Sequence, residues 1–167
     1  MKHLFRITLL TLSILFITSI FSSCSQKEYS STLSCKELSR GLEREISVPQ
    51  GQFKEYTSDE LDFLFSTPKL YDDICIVYST DSTDVCELGV LHASSKENAK
   101  KLLEDTKGYI KSMQEQKSEF LRNYSPAELT KLNSAEARCF GEYIVFTVAD
   151  PYDRDEAFKK AEMILSK

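Results

Sequence analysis

The chain has 167 residues, with 21 basic against 26 acidic side chains and a formal net charge of −5. Phosphate contacts need clustered Lys and Arg, so a protein with this acidic balance is not expected to bind nucleic acid. The length suits one domain with its own hydrophobic core.

The amino terminus is organised like a secretory signal. The first six residues include basic side chains. Residues 7–21 then form an uncharged run that consists mostly of Leu, Ile and Phe. That run is shorter than the roughly 20 residues of a membrane-spanning helix. Two serines then stand directly before Cys24, which resembles the lipobox of bacterial lipoproteins. We therefore predict a lipoprotein signal peptide over residues 1–23; an uncleaved anchor and ordinary secretion are the alternatives.

Residues 24–33 are interpreted as the lipidated Cys24 followed by a polar tether. A diacylglyceryl group carries two long chains, such as palmitate, and two chains hold a protein on a membrane far longer than one. Removing 23 of 167 residues leaves 144, and the net charge moves from −5 to −7 because the leader holds two basic and no acidic residues. We expect the domain on the extracytoplasmic face of the cell membrane.

Two helices are predicted at the start of the mature chain. Ser34 with Glu37 forms a capping box, and apolar residues at helical spacing predict a helix over 35–46. Residues 47–56 are interpreted as a connection. Thr57 with Glu60 is a second capping box and opens a short helix that Pro68 should end.

A β-hairpin is predicted next. Its strands are residues 74–78 and 88–91, and residues 80–84 are rich in turn-forming side chains. If Ser79 pairs with Val85 across the turn, Cys75 and Cys86 point to opposite faces.

The longest helix is expected to begin at a capping box formed by Ser94 and Glu97. Its core stripe is predicted as Ala99, Leu102, Leu103, Thr106, Ile110, Met113, Lys117, Phe120, Leu121 and Tyr124. A Ser cap at Ser125, followed by Pro126, predicts a new short helix.

The carboxyl-terminal part predicts a second hairpin and a closing helix. The strands are residues 137–140 and 143–148, joined at Gly141-Glu142, where Gly at the first turn position suits a type II′ turn. The second of these strands is apolar at consecutive positions, which indicates a central strand covered on both sides. Asp153 is the predicted cap of the last helix.

These elements predict a single α+β domain over residues 34–167. Two hairpins form an antiparallel sheet packed on a face with several helices, one of them long, in the order α-α-β-β-α-α-β-β-α. The order of the strands in the sheet is left open.

Several segments resemble a known family. They are Glu87-Leu88-Gly89-Val90-Leu91-His92, Gln116-Lys117 ahead of Phe120, Tyr124-Ser125-Pro126, and Gly141-Glu142-Tyr143-Ile144-Val145-Phe146 leading to Val148-Ala149-Asp150. This pattern is similar to the domain-of-unknown-function family number 4358 over most of residues 33–166. The chain departs from it at Ser112 and His92. The resemblance implies a small lipoprotein of this fold and no activity.

No catalytic or metal-binding motif is evident. His92 is the only histidine beyond the leader and has no ligand-type neighbour at zinc spacing. Acidic residues cluster at Asp72-Asp73, at Asp81 with Asp84, and at Asp150, Asp153 and Asp155, but none has the alternation, central Gly and closing Glu of an EF-hand loop. We interpret them as turn and capping residues, and expect no metal, no cofactor and no enzymatic activity.

Four cysteines remain beyond Cys24: Cys35, Cys75, Cys86 and Cys139. Outside the cytoplasm they could form disulfides in three pairings, or remain as buried thiols. Both possibilities are open.

Most of the eight Tyr and ten Phe residues are expected in the core, and a few could lie on the surface. Tyr56, Phe63 or Tyr71 could form a partner surface, because exposed aromatics often anchor interfaces. The preferred interpretation is a non-enzymatic binding module of the cell envelope, with an envelope protein or small molecule as partner. The alternatives are a substrate-delivery lipoprotein for a transporter and, less favoured, an extracytoplasmic enzyme. The oligomeric state is left open.

Overall fold

The computed structural model describes residues 28–29, 32–48, 51–65 and 70–166. The predicted leader, Cys24 and Pro68 lie outside these ranges. Within them the chain forms five helices and a five-stranded antiparallel sheet, which confirms the α+β class.

The helices are α1 (Cys35–Leu42), α2 (Ser58–Leu64), α3 (Lys96–Tyr124), α4 (Pro126–Asn133) and α5 (Pro151–Leu165). A 3₁₀ turn over Glu43–Glu45 continues α1, so the helix predicted over 35–46 is α-helical only to Leu42. The long helix and its break near Tyr124 are confirmed.

The strands are β1 (Phe53–Glu55), β2 (Tyr71–Ser79), β3 (Glu87–Ala93), β4 (Glu136–Phe140) and β5 (Tyr143–Val148). They lie in the order β1-β2-β3-β5-β4, and every neighbouring pair is antiparallel. All six residues of β5 are buried between β3 and β4, which confirms the prediction of a central strand. Gly141 has φ +69°, the left-handed conformation that the two-residue turn requires of it.

Strand β1 corrects the predicted order of elements, because residues 47–56 were interpreted as a connection. Only one of its three residues, Phe53, is apolar, so no strand pattern is visible in the sequence. The strand is instead fixed by backbone pairing with β2, where Lys54 lies opposite Tyr78.

The predicted register of the first hairpin is wrong by one residue. Cys75 lies opposite Val90 rather than Gly89, and Tyr78 lies opposite Glu87. A one-residue slip exchanges the two faces of a strand. Cys75 and Cys86 therefore share one face and one core cluster. Cys86 lies level with Ser79, about 13 Å along the strand from Cys75, too far for a disulfide.

Helices cover both faces of the sheet, rather than one. Helices α1 and α5 pack on the face that carries Val77, Leu88 and Val145. Helices α2 and α3 pack on the opposite face, which carries Ile76, Leu91 and Phe146. Helix α4 packs beside the carboxyl-terminal half of α3, around Leu132.

The structure confirms two of the predicted capping boxes and places the cap of the long helix one residue later. The capping boxes at Ser34–Glu37 and Thr57–Glu60 are confirmed. The long helix is capped by Ser95, whose hydroxyl accepts from the amide of Asn98, and not by the predicted box at Ser94.

The caps of α4 and α5 also differ from the prediction. Ser125 makes no side-chain cap hydrogen bond at α4. Asp150, not Asp153, is the N-cap residue of α5, because Pro151 fixes the first helical position. Asp153 instead accepts from the amide of Ser47 at 2.8 Å.

The predicted stripe of α3 is buried over most of its length but not at its carboxyl end. Leu121 is buried, whereas Phe120 and Tyr124 are 61% and 74% exposed and pack against each other. At about 1.5 Å per residue the helix is longer than the sheet, so its last turns extend beyond the strands.

Candidate functional site

A shallow hollow opens on the surface of α2. It has a volume of about 370 Å³, and its lining is almost entirely apolar. The lining residues are Tyr56, Asp59, Glu60, Phe63 and Leu64.

Phe63 is the most exposed large apolar side chain of the described residues, at 88%. The helix that carries it buries Leu61 against the sheet, and Phe65, at the carboxyl cap, is buried beside it. Phe63 lies on the turn between these two and points away from the core. An aromatic side chain in water beside an apolar hollow gains free energy when a partner covers it.

Tyr56 connects the hollow to the interior. Its ring lines the hollow and packs against Tyr78, with the ring centroids 4.4 Å apart. Its hydroxyl group lies close enough to Glu87 for the charge of that carboxyl group to raise its pKa, after the larger effect of burial. One side chain therefore belongs to both the surface of the hollow and the buried network beneath it.

Glu87 is the first residue of β3 and is only 3% exposed. The hydroxyl of Tyr109 on α3 donates to its Oε1 at 2.7 Å. Burial raises the pKa of the Glu87 carboxyl to about 7, against the opposing effects of the Tyr109 hydroxyl, the charge of Lys117 and the Tyr56 hydroxyl.

An aromatic shell surrounds this carboxyl group. Tyr109 packs between Phe65 and Phe146, at centroid distances of 5.2 and 5.6 Å. Burial also raises the pKa of Tyr109 and of Tyr56, with the charge of Glu87 as the next cause. The Tyr109 hydroxyl thus holds the Glu87 carboxyl group, and Tyr56 is held beside them by its packing on Tyr78.

The rim of the hollow is acidic. Glu60 accepts hydrogen bonds from the backbone and hydroxyl of Thr57, which lower its pKa. Asp59 is exposed and forms no ion pair with the described residues. The hollow therefore combines apolar walls, two aromatic rings and a negative rim, which suits a cationic group on an apolar stem.

The structure brings two of the three singled-out aromatics together. Tyr56 and Phe63 line the same hollow. Tyr71, the first residue of β2, is half-buried, lies opposite Ala93 and does not line the hollow.

His92 lies at the end of β3 away from Glu87. Its Nδ1 is 2.6 Å from Asp72, its ring edge packs on Tyr143, and its buried Nε2 has no hydrogen-bond partner in the described ranges. Across residues 28–29, 32–48, 51–65 and 70–166, no three His, Cys, Asp or Glu side chains are grouped as a metal site.

The acidic clusters serve local structure. The carboxylate of Asp73 accepts a hydrogen bond from the backbone amide of Cys35 at 2.7 Å, and that of Asp81 accepts one from the amide of Thr83 at 2.9 Å. Asp84 forms a largely buried ion pair with Lys131 at 3.0 Å.

The four cysteines of the described residues are all free thiols. Cys35, Cys75 and Cys86 are buried, and Cys139 is exposed. Burial raises the pKa of Cys75 to about 11, and it raises the pKa of Cys35 and Cys86 further.

Glu87 is the residue that the sequence interpretation missed as a site. In the sequence it stands out only as the first residue of the segment 87–92 that resembles the family. A signal was present, because Glu87 is the one charged residue in the run from Val85 to Leu91. A lone carboxylate inside an apolar strand predicts burial with a partner.

Comparison with known proteins gives one match. A sequence model described as Domain of unknown function (DUF4358) matches residues 42–149. No curated protein and no solved structure matches the chain. In the part of the chain that the structure describes, no helix has both the length and the apolar character needed to cross a membrane.

Proposed function

The chain belongs to the family described as Domain of unknown function (DUF4358), which names no activity, and from its own residues we propose that it is a lipid-anchored binding module of the cell envelope. In this proposal Cys24 carries the lipid on the extracytoplasmic face of the membrane. The domain binds its partner through the hollow and catalyses no reaction.

The support for the anchor is the leader sequence, with two serines directly before Cys24. Tyr29 lies only five residues further on, pairs with Ser166 and packs on Phe140. Five residues span at most about 18 Å. A lipid on Cys24 would therefore hold the domain close to the headgroups.

The single observation that supports binding is the exposure of Phe63 beside the hollow. The cost of leaving this ring in water is offset when a partner covers it. The aromatic rings of Tyr56 and Phe63 and the carboxylate of Asp59 favour a lysine or arginine side chain of an envelope protein. Such a side chain gains both cation–π and apolar contacts.

A small-molecule partner is the second candidate. The volume of about 370 Å³ falls at the lower end of the roughly 300–1,000 Å³ range of small-ligand sites. However, the walls come from one short helix and Tyr56, so a small ligand would remain largely in water. Co-purification of a defined small molecule that is lost on Phe63→Ser would favour this candidate over a protein partner.

The binding site can be tested by photo-crosslinking in cells. A photoreactive phenylalanine at position 63 should cross-link an envelope protein through a basic segment. The matched control is the same residue at position 152, because Tyr152 is 75% exposed on α5, on the other side of the sheet. Equal cross-linking at both positions, or none at position 63, would contradict the proposal.

The anchor can be tested separately. Cys24→Ala should release the protein from membranes and abolish incorporation of a labelled fatty acid, because the thiol at the predicted lipidation position is gone. Ser23→Ala is the control, since it keeps a small residue before the cysteine. Tight membrane retention of Cys24→Ala would count against the anchor without affecting the hollow.

A further inference from the structure

Within the described part of the chain, the outer edge of strand β1 pairs with no other strand. This strand is an outer strand of the sheet, and its inner edge hydrogen-bonds β2 through alternate residues. The backbone amide of Tyr56 donates a hydrogen bond to the carbonyl oxygen of Ile76, and the carbonyl oxygen of Gln52 accepts one from the amide of Thr80. By the alternation of an antiparallel ladder, the backbone groups of Phe53 and Glu55 point outward.

A second groove lies next to this edge, on the opposite side of the sheet from the hollow. Its volume is about 600 Å³, and its walls are both polar and apolar. The lining residues are Arg40, Glu43, Arg44, Ile46, Val48, Gly51, Gln52 and Phe53. The groove thus runs between the end of α1 with its 3₁₀ turn and the start of β1.

Two arginines in the groove have no acidic partner. Arg40 and Arg44 are exposed, and no carboxylate of the described residues lies within 4 Å of either guanidinium group. Both line the groove, Arg40 from the last turn of α1 and Arg44 from the 3₁₀ turn that follows it.

The carboxylates nearby are already engaged by other groups. Glu37 holds the capping box of α1, and Glu43 accepts from the hydroxyl of Ser39. Glu45 pairs with Lys160, and Glu55 pairs with Lys36. The groove lining therefore carries two arginines and one glutamate, a net charge of +1, on a protein whose net charge is −5.

We propose that the outer edge of β1 accepts an extended acidic peptide segment of an envelope protein as a sixth, antiparallel or parallel strand, with its carboxylates bound by Arg40 and Arg44. Strand addition supplies main-chain hydrogen bonds to Phe53 and Glu55. Alternate side chains of the added strand face the groove, so the carboxylates belong at every second position.

The other edge of the sheet is built differently. On β4, Arg138 is paired with Glu136 and lies over the ring of Phe158 at 4.2 Å. Its charge is already satisfied inside the domain. Arg138 is therefore not free to bind a carboxylate of an added strand, whereas Arg40 and Arg44 beside β1 form no ion pair with another described residue.

The probe is a fluorescein-labelled pentapeptide of alternating valine and glutamate, titrated into the detergent-solubilised full chain. We expect saturable binding that weakens as salt is added. The counterpart with lysine in place of glutamate should not bind. Hydrogen exchange in the segment around Phe53–Glu55 should slow on addition of the acidic peptide.

Two variants separate the contributions of charge and backbone. Arg40→Gln with Arg44→Gln should weaken binding about tenfold, since it removes the charge-assisted contacts. Lys54→Gln is the matched control, because Lys54 lies over Tyr78 on the other face of β1. Glu55→Pro removes an outward amide together with the ion pair to Lys36 and should abolish binding, whereas Glu55→Ala removes the same ion pair but keeps the amide and should bind.

Three outcomes would overturn the proposal. They are no binding of the acidic peptide, equal binding of the lysine peptide, and protection at β4 instead of β1. Concentration-dependent dimerisation of the unliganded protein through β1 would show that a second copy, not an acidic peptide, takes this edge. None of these outcomes depends on the hollow of α2.

Discussion

Glu87 determines how stability should depend on pH. Its folded pKa of about 7 lies above its ordinary value of 4.5, so the folded state favours the neutral acid. The stability that this group contributes is complete below about pH 4.5 and is lost as pH rises through 7. The shift corresponds to a loss on the order of 3 kcal/mol.

Glu87→Gln should remove this dependence, because the amide is neutral at every pH. Urea unfolding between pH 4 and 8 would show the wild-type free energy falling relative to the variant across the window from about 4.5 to 7. Tyr109→Phe removes a hydrogen-bond donor that lowers the pKa of Glu87. The pH range over which stability is lost should therefore extend upward. Parallel curves for wild type and Glu87→Gln would mean that the carboxyl group is not buried as described.

Gly89 gives the second prediction at this scale. A Cβ atom there would lie 1.9 Å from Cε1 of Phe146, the residue opposite it on β5. Gly89→Ala should therefore destabilise the domain by about 1–3 kcal/mol, measured by urea unfolding. The double variant with Phe146→Leu should recover part of that loss.

Gly108 is the matched control for this substitution. It lies on the exposed face of α3, and a Cβ atom there meets nothing within 4 Å. Gly108→Ala should stabilise the protein by about 1 kcal/mol, since alanine is the better helix former. Equal effects at the two glycines would exclude close packing as the cause.

Helix caps can be compared directly among the elements. Ser95 caps α3 with a side-chain hydrogen bond, whereas Ser125 stands at the start of α4 without one. Ser95→Ala should lower the free energy of unfolding by about 1 kcal/mol, and Ser125→Ala should have little effect. Thermal unfolding of the two variants measures the difference; a larger loss at Ser125 would contradict the assigned caps.

The elements that the sequence predicted well are those with a local signal. The capping boxes at Ser34 and Thr57 and the turn at Gly141 each depend on a few neighbouring residues. Strand β1 and the register of β2 against β3 depend on partners distant in sequence, and these were missed. The site divides in the same way: Phe63 and Tyr56 are conspicuous as aromatics, but the contact of Glu87 with Tyr109 needs the fold.

The whole molecule separates the predicted anchor from the network under the hollow. Tyr29 packs on Phe140, beside the β4–β5 turn, where Tyr143 lies opposite His92. Glu87 lies at the other end of β3, opposite Val148, about 17 Å away along the strand. A domain held by Cys24 would therefore be tethered from the end of the sheet opposite Glu87.

Thiol counting tests both the anchor and the cysteines of the whole chain. In the native protein Cys139 should react first, because Cys35, Cys75 and Cys86 are buried and burial raises their pKa values. After unfolding without reductant, the membrane-derived protein should show four reactive thiols by mass spectrometry, since the lipid occupies Cys24. Cys139→Ser should remove the fast native reaction. Fewer than four thiols would require a disulfide, and five would show that Cys24 carries no lipid.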